Sequence, residues 1–310
     1  MNSLKKLFAA SIFAALISPF FYGCGSNEEK GETEGTDTSS TGNAGGMTKT
    51  TAKAQNIFYS IPSPIELAQL IQKAGAKYNK DLLNDPNSVS KYSTNTSKAL
   101  NLGVYGADLS YTSVFDDNTQ ESIIYLAATQ KLAGSLGVGN AFDQKTVDRI
   151  QSNTGKKDSL LTIISDSYMT TDEMLKESQR EGASSLVIAG GFIEALYLGT
   201  QLAKTTKNNA DIINRIAEQK GTLDNVVSLL GTYQKDAGIA GVLTDVKALK
   251  EIYDQVKVAS ASSAADVKTN PTTKVTTIGG KITYSITPEL VTKLTEKAAE
   301  IRNKIISGQN

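Results

Sequence analysis

Apolar side chains recur along most of this chain at steps of three and four, the spacing that places them on one face of an α-helix. Leu67, Leu70, Ile71, Ala74 and Tyr78 begin the pattern, behind Ile61-Pro62-Ser63-Pro64. There Ser63 and Glu66 read as a capping box, with Pro64 at the first helical position. Asp85-Pro86-Asn87 breaks the next short piece. The spacing predicts a second helix over 93–115, with Leu100, Val104, Ala107 and Tyr111 in register and Gly103 and Gly106 inside it. Each interior glycine costs about 1 kcal/mol against alanine, so a neighbouring helix is expected to approach closely there. Asn118 with Glu121 caps a third helix carrying Ile124, Tyr125, Ala128, Leu132 and Leu136, stopped by Gly137 or Gly139. A short helix over 143–153 follows, then a long one over 158–179, within which Thr170-Thr171-Asp172-Glu173 can restart a capped helix.

The stretch 183–204 is the most apolar after the N-terminal run, with one charge, Glu194. A membrane span would put that carboxylate near the midplane at a cost of at least about 2.5 kcal/mol. Gly190-Gly191 and Ala195 suit instead a central helix surrounded by others. Further helices are expected over 210–220, 222–234 and 244–258, and a loop over 260–271. Short strands over 274–277 and 281–286 read as a β-hairpin across Gly279-Gly280, expected to lean on the helices. Thr287-Pro288-Glu289 starts the final helix, whose Val291, Leu294, Ala298, Ile301 and Ile305 form a narrow seam for a neighbour or another chain. The fold class expected is mainly α: a bundle of about eight to ten helices with one small β-hairpin (about 273–286) before the C-terminal helix (about 288–307). No strict repeat of 20–50 residues is visible. One faint echo is: Asp108 and Tyr111 follow a glycine-containing helical segment, as Glu194 and Tyr197 do.

The N-terminus changes the picture. Lys5 and Lys6 precede a nearly unbroken apolar run over 7–17, and Phe21-Tyr22-Gly23-Cys24 closes it. That order is a secretory signal peptide. The run is shorter than the about 20 residues a span needs. A retained single span and an ordinary cleaved signal are the alternatives. Cys24 is the only cysteine of the chain, and a lone thiol in an exported protein is a liability. The segment resembles the leader of bacterial lipoproteins: Gly23 and Cys24 match the most constrained positions, whereas Phe21 and Tyr22 depart from the usual leucine and small residue. The resemblance implies a signal peptide over 1–23, removed at Cys24, and a diacylated Cys24 holding the protein on a membrane. Two or three acyl chains suffice for stable anchoring where one does not. By the same resemblance, Gly25 rather than Asp after the cysteine implies the outer membrane. Glu28-Glu29 is similar to the export signal of surface lipoproteins in Bacteroidota, though any solvated linker is also acidic. Residues 24–56, polar and acidic, read as a flexible tether able to hold a body over 57–310 about 30 Å from the surface.

Charge and composition narrow the chemistry. Thirty-two basic side chains face thirty-two acidic ones, which gives no electrostatic footprint for nucleic acid. The chain has no histidine, so the Ser-His-Asp and Cys-His pairs and the usual zinc and iron ligand sets are missing. No cofactor is expected, and no phosphate loop or nucleophile elbow is found. The candidate constellation is Asp108, Glu121 and Glu194, acids on largely apolar helices, where burial is costly unless they are paired. A carboxylate-bridged metal pair would add Glu-x-x-His, which is absent. A buried acid bonded to a tyrosine or lysine is one reading; a ligand pocket lined by Tyr105, Tyr111 and Tyr197 is the other. The mature chain also resembles uncharacterised predicted lipoproteins of Bacteroidota at 59–64, 99–106 and 190–197, a group to which no activity attaches. The expectation is therefore a non-enzymatic helical lipoprotein that binds an envelope protein partner or scaffolds a complex, its last helix a contact surface. The alternative is a small-molecule or lipid-binding domain with its pocket near Asp108 and Glu194.

Overall fold

The computed structural model describes residues 64–115, 119–153, 155–261, 267–269, 276–278 and 281–309. The expected signal peptide, Cys24, the expected tether, the expected Ser63 and Asn118 caps and the expected Gly279-Gly280 turn lie outside the described residues. Nine α-helices are found among those described: α1 (Pro64–Lys73), α2 (Asn95–Val114), α3 (Thr119–Leu136), α4 (Gln144–Ser152), α5 (Lys157–Glu177), α6 (Glu181–Thr205), α7 (Ala210–Thr232), α8 (Ala237–Tyr253) and α9 (Pro288–Ser307). Strands β1 (Lys257–Ala261), β2 (Val267–Thr269), β3 (Thr276–Ile278) and β4 (Lys281–Ser285) precede α9. The architecture is the expected helical bundle with a β-hairpin before its C-terminal helix.

The bundle is built on α2 and α6, which lie against each other along their length. A helix apolar on all sides belongs inside, and α2 is buried without interruption from Ala99 to Val114. Helix α6 is long and apolar enough to cross a membrane, yet 83% of its most apolar window is buried within the body. Glycine allows the contact. A Cβ on Gly103 would stand 2.0 Å from the carbonyl oxygen of Val187, and one on Gly190 would stand 2.0 Å from that of Leu100. The two backbones touch, and the cost of glycine in both helices is offset by that packing. Around this pair, α1 packs on α2, α6 and α7; α3 on α2; α5 on α2 and α6; α7 on α6; α8 on α7; and α9 on α6, α8 and α2.

Several boundaries differ from the sequence expectation. Helix α1 stops at Lys73, because Gly75 takes a φ of 90° and reverses the chain; Tyr78 lies beyond it. The helix does not restart at Thr170-Thr171: both hydroxyls bond back to carbonyls one turn earlier, Asp166 and Ser167, and α5 runs on. Segments 210–220 and 222–234 are one helix, α7, with Gly221 on its exposed side. Helix α8 begins at Ala237, not 244, because Asp236 caps it through the Gly238 N–H at 2.8 Å. The strands do not pair across Gly279-Gly280. Instead β1 pairs antiparallel with β4 (Val258 opposite Tyr284) and β2 with β3 (Val267 opposite Ile278). The expected loop over 260–271 therefore contains strand residues. Tyr284 and Ile286 seat the ribbon on the helical core, where β4 meets α7.

The α9 seam is filled by this chain's own helices: Leu294, Ala298, Ile301 and Ile305 are buried against α6, α8 and α2. That face is core rather than a free contact surface. Thr287 caps α9 by accepting from the Leu290 N–H at 3.3 Å. Thr287→Ala is expected to lower folding stability by about 1 kcal/mol, read as a lower thermal midpoint with unchanged helix content.

Candidate functional site

Asp108 sits in the middle of α2 and Glu194 in the middle of α6, both 0% exposed. The glycine contact that draws these helices together also brings the two carboxyls side by side, within hydrogen-bonding reach. Arg302 of α9 closes the group. Its Nε donates to Glu194 Oε2 at 3.0 Å and its Nη2 to Oε1 at 3.2 Å, a bidentate contact. The same Nη2 reaches the Leu82 carbonyl at 3.1 Å. The guanidinium lies over the Tyr197 ring, 4.6 Å from its centroid. Asp108 Oδ2 accepts from the Asn84 N–H at 3.2 Å. Asp108 Oδ1 is buried, and no N–H or hydroxyl donor reaches it.

A shell of polar groups holds this centre. Asn84 Nδ2 donates to Tyr92 Oη at 3.0 Å, and the Asn84 carbonyl accepts from Tyr125 Oη at 2.8 Å. Tyr105 Oη donates to the Asp85 carbonyl at 2.7 Å. Tyr92 and Tyr125 flank Tyr105, with ring centroids 6.2 and 6.4 Å away. Tyr111 Oη accepts from the Asn79 N–H at 2.8 Å, and its ring stacks on Tyr78 at 5.2 Å. Asn101 Nδ2 donates to the Ile305 carbonyl at 3.0 Å, a tie from α2 to α9.

Electrostatics follow from burial. Desolvation, then the neighbouring Glu194 charge, push the Asp108 carboxyl well above its ordinary range, and Arg302 opposes both only in part. Desolvation also raises Glu194, against the pull of the Arg302 charge and its hydrogen bonds. Burial pushes the Tyr111 hydroxyl up to about 12 and raises Tyr105 and Tyr125 further, so these phenols stay neutral.

Of the six sequence candidates, the structure brings Tyr105, Asp108, Glu194 and Tyr197 around one centre and puts Tyr111 beside it. It does not bring Glu121 there. Glu121 lies in the first turn of α3, accepts from Tyr78 Oη and pairs with Lys80 at 2.6 Å. Burial alone would raise its carboxyl, but the Lys80 and Tyr78 hydrogen bonds hold it below the usual range. Sequence reasoning missed Arg302, Asn84, Tyr92 and Tyr125. The signal for Arg302 was present: it stands four residues after Ala298 on the seam side of α9, while Lys293 and Lys304 face solvent.

The centre is sealed. A ligand at Asp108 and Glu194 would have to displace Arg302 from its bidentate contact. An open groove lies elsewhere: about 240 Å³ between the end of α6, the start of α7 and the start of α9, lined by Ala203, Lys204, Ile213, Ile286 and Val291 among others. Among the described residues no three His, Cys, Asp or Glu side chains gather as metal ligands. Comparison of the chain with protein-family models, characterised proteins and solved structures finds no match in any of the three.

Proposed function

We propose that this chain is a lipid-anchored protein of the bacterial cell envelope, held on the outer membrane through Cys24, whose helical body serves as a non-enzymatic partner-binding or scaffolding module. The observation that carries the reading is the position of the chain's one cysteine, directly after Gly23 at the end of the apolar run and before a polar stretch of about 30 residues. Lipid on that sulfur accounts for a thiol that would otherwise be unpaired in an oxidising compartment. The body supports the reading in a second way. Its most polar interior is occupied by its own arginine and tyrosines, which suits a rigid platform.

Growth with labelled palmitate tests the anchor. Label is expected on the native protein and absent from Cys24→Ser, which moves from the membrane to the soluble fraction. Native protein without label, or a Cys24→Ser form that stays in the membrane fraction, would overturn it. Cross-linking in intact cells tests the module: partners captured by the anchored protein should be lost when the same body is released by Cys24→Ser.

A further inference from the structure

We propose that Asp108 and Glu194 form a buried proton-binding site: at neutral pH the folded body holds one proton between the two carboxyls, on Asp108. Charge counting makes the first case. Asp108, Glu194 and Arg302 are 0%, 0% and 6% exposed. Both acids ionised would leave one net negative charge sealed in an apolar interior, which is costly; a single proton makes the set neutral.

Hydrogen bonding makes the second case. Asp108 Oδ1 is buried without any N–H or hydroxyl donor, and the acid beside the Asp108 side chain, Glu194, offers only another acceptor when ionised. Two ionised carboxylates there would repel. A proton on Asp108 converts the contact into an O–H···O⁻ bond to Glu194, which is charge-assisted and strong. The proton belongs on Asp108 because Glu194 already takes two guanidinium donors, whereas Asp108 takes one backbone N–H, from Asn84.

The groups facing the pair are Tyr105 and Tyr111 on its own helix, Tyr92 before it, Tyr125 of α3, Tyr168 of α5, Tyr197 of α6 and Arg302 of α9. Burial raises every one of those tyrosines, so none competes for the titration, and Arg302 keeps its charge beside Glu194.

The sign follows. A carboxyl raised in the folded state keeps a proton that the unfolded chain has released above about pH 4. Stability therefore falls as pH rises, by about tenfold in the folding equilibrium per pH unit for one proton. The window is clean because the chain has no histidine, the side chain that normally titrates between pH 5 and 8. The carboxyls held low, Asp85, Glu121, Asp143, Asp254 and Glu289, lose their contribution only as pH falls through the acid range.

Urea unfolding of the full-length protein at pH 5 to 8, with infrared spectra at pH 7, tests this. The native protein should lose about tenfold in folding equilibrium per pH unit and show the C=O stretch of a protonated carboxylic acid. Asp108→Asn keeps an N–H donor toward Glu194 and should fold, with a flat profile and no such band. Glu194→Gln leaves Asp108 as the one carboxylate of this centre beside the Arg302 charge, so Asp108 ionises and the band again disappears. A native protein with no protonated-acid band at pH 7, or an Asp108→Asn form that keeps the pH slope, overturns the proposal. If either variant does not fold, the band and slope of the native protein decide it.

Discussion

Arg302→Met is expected to remove about 3–5 kcal/mol of folding stability, against about 5–15 kcal/mol for a typical domain. The side chain fits the seam of α9, so the loss is electrostatic. Glu194, 0% exposed, keeps its charge and loses both donors, and the Leu82 carbonyl loses its own. Arg302→Lys retains the charge but not the fork, and should fall between the two. The decisive companion is the triple change Asp108→Leu, Glu194→Met, Arg302→Met. With no ion left to desolvate, it should regain most of the loss. Urea midpoints for the three proteins would measure this series; an Arg302→Met protein as stable as the native one would mean the cluster is not sealed.

Gly190→Ala carries the second large effect. The added methyl would stand 2.0 Å from the Leu100 carbonyl oxygen and 2.8 Å from its carbon, atoms of a backbone that cannot swing aside. The two central helices must separate, at a cost of about 3 kcal/mol, the upper end of what overpacking exacts. Glu194 is one turn further along α6, so the separation reaches the acid pair as well. Gly221→Ala is the control. It sits in α7 with nothing within 4 Å of the added methyl, and should stabilise the body by about 0.5–1 kcal/mol through helix propensity alone. Thermal unfolding of both variants would show opposite shifts.

The sequence showed the centre of the fold because its signal was local. An apolar stretch with paired glycines over 183–204 is a buried helix wherever it lands. Local signals also misled. The ranges 210–220 and 222–234 divided one helix at Gly221, where an exposed glycine costs too little to break it. The start of α8 fell before the expected 244 because Asp236 supplies a cap. The Gly279-Gly280 pair suggested a tight turn between neighbours, but β4 pairs with β1, more than twenty residues away, while Tyr284 and Ile286 pack on the core. The site divides in the same manner. Asp108 and Glu194 stood out as charges within apolar helices. Their counter-charge lies on an amphipathic helix among exposed lysines, where one more cation looks like surface. Glu121 was drawn in because an acid on a partly apolar helix looks buried, whereas a first-turn acid is at home near the positive end of the helix dipole.

The guanidinium that neutralises Glu194 arrives 108 residues after it, and it also binds a carbonyl 220 residues before it. Synthesis runs from the N-terminus, so a nascent chain that has passed Glu194 and not yet reached Arg302 carries both acids without the guanidinium that meets them. Such a chain can collapse its helices but cannot close its middle, and stays open to proteases for as long as that opening persists. Closure of the centre thus waits on the arrival of α9, whose arginine brings the charge that lets it shut.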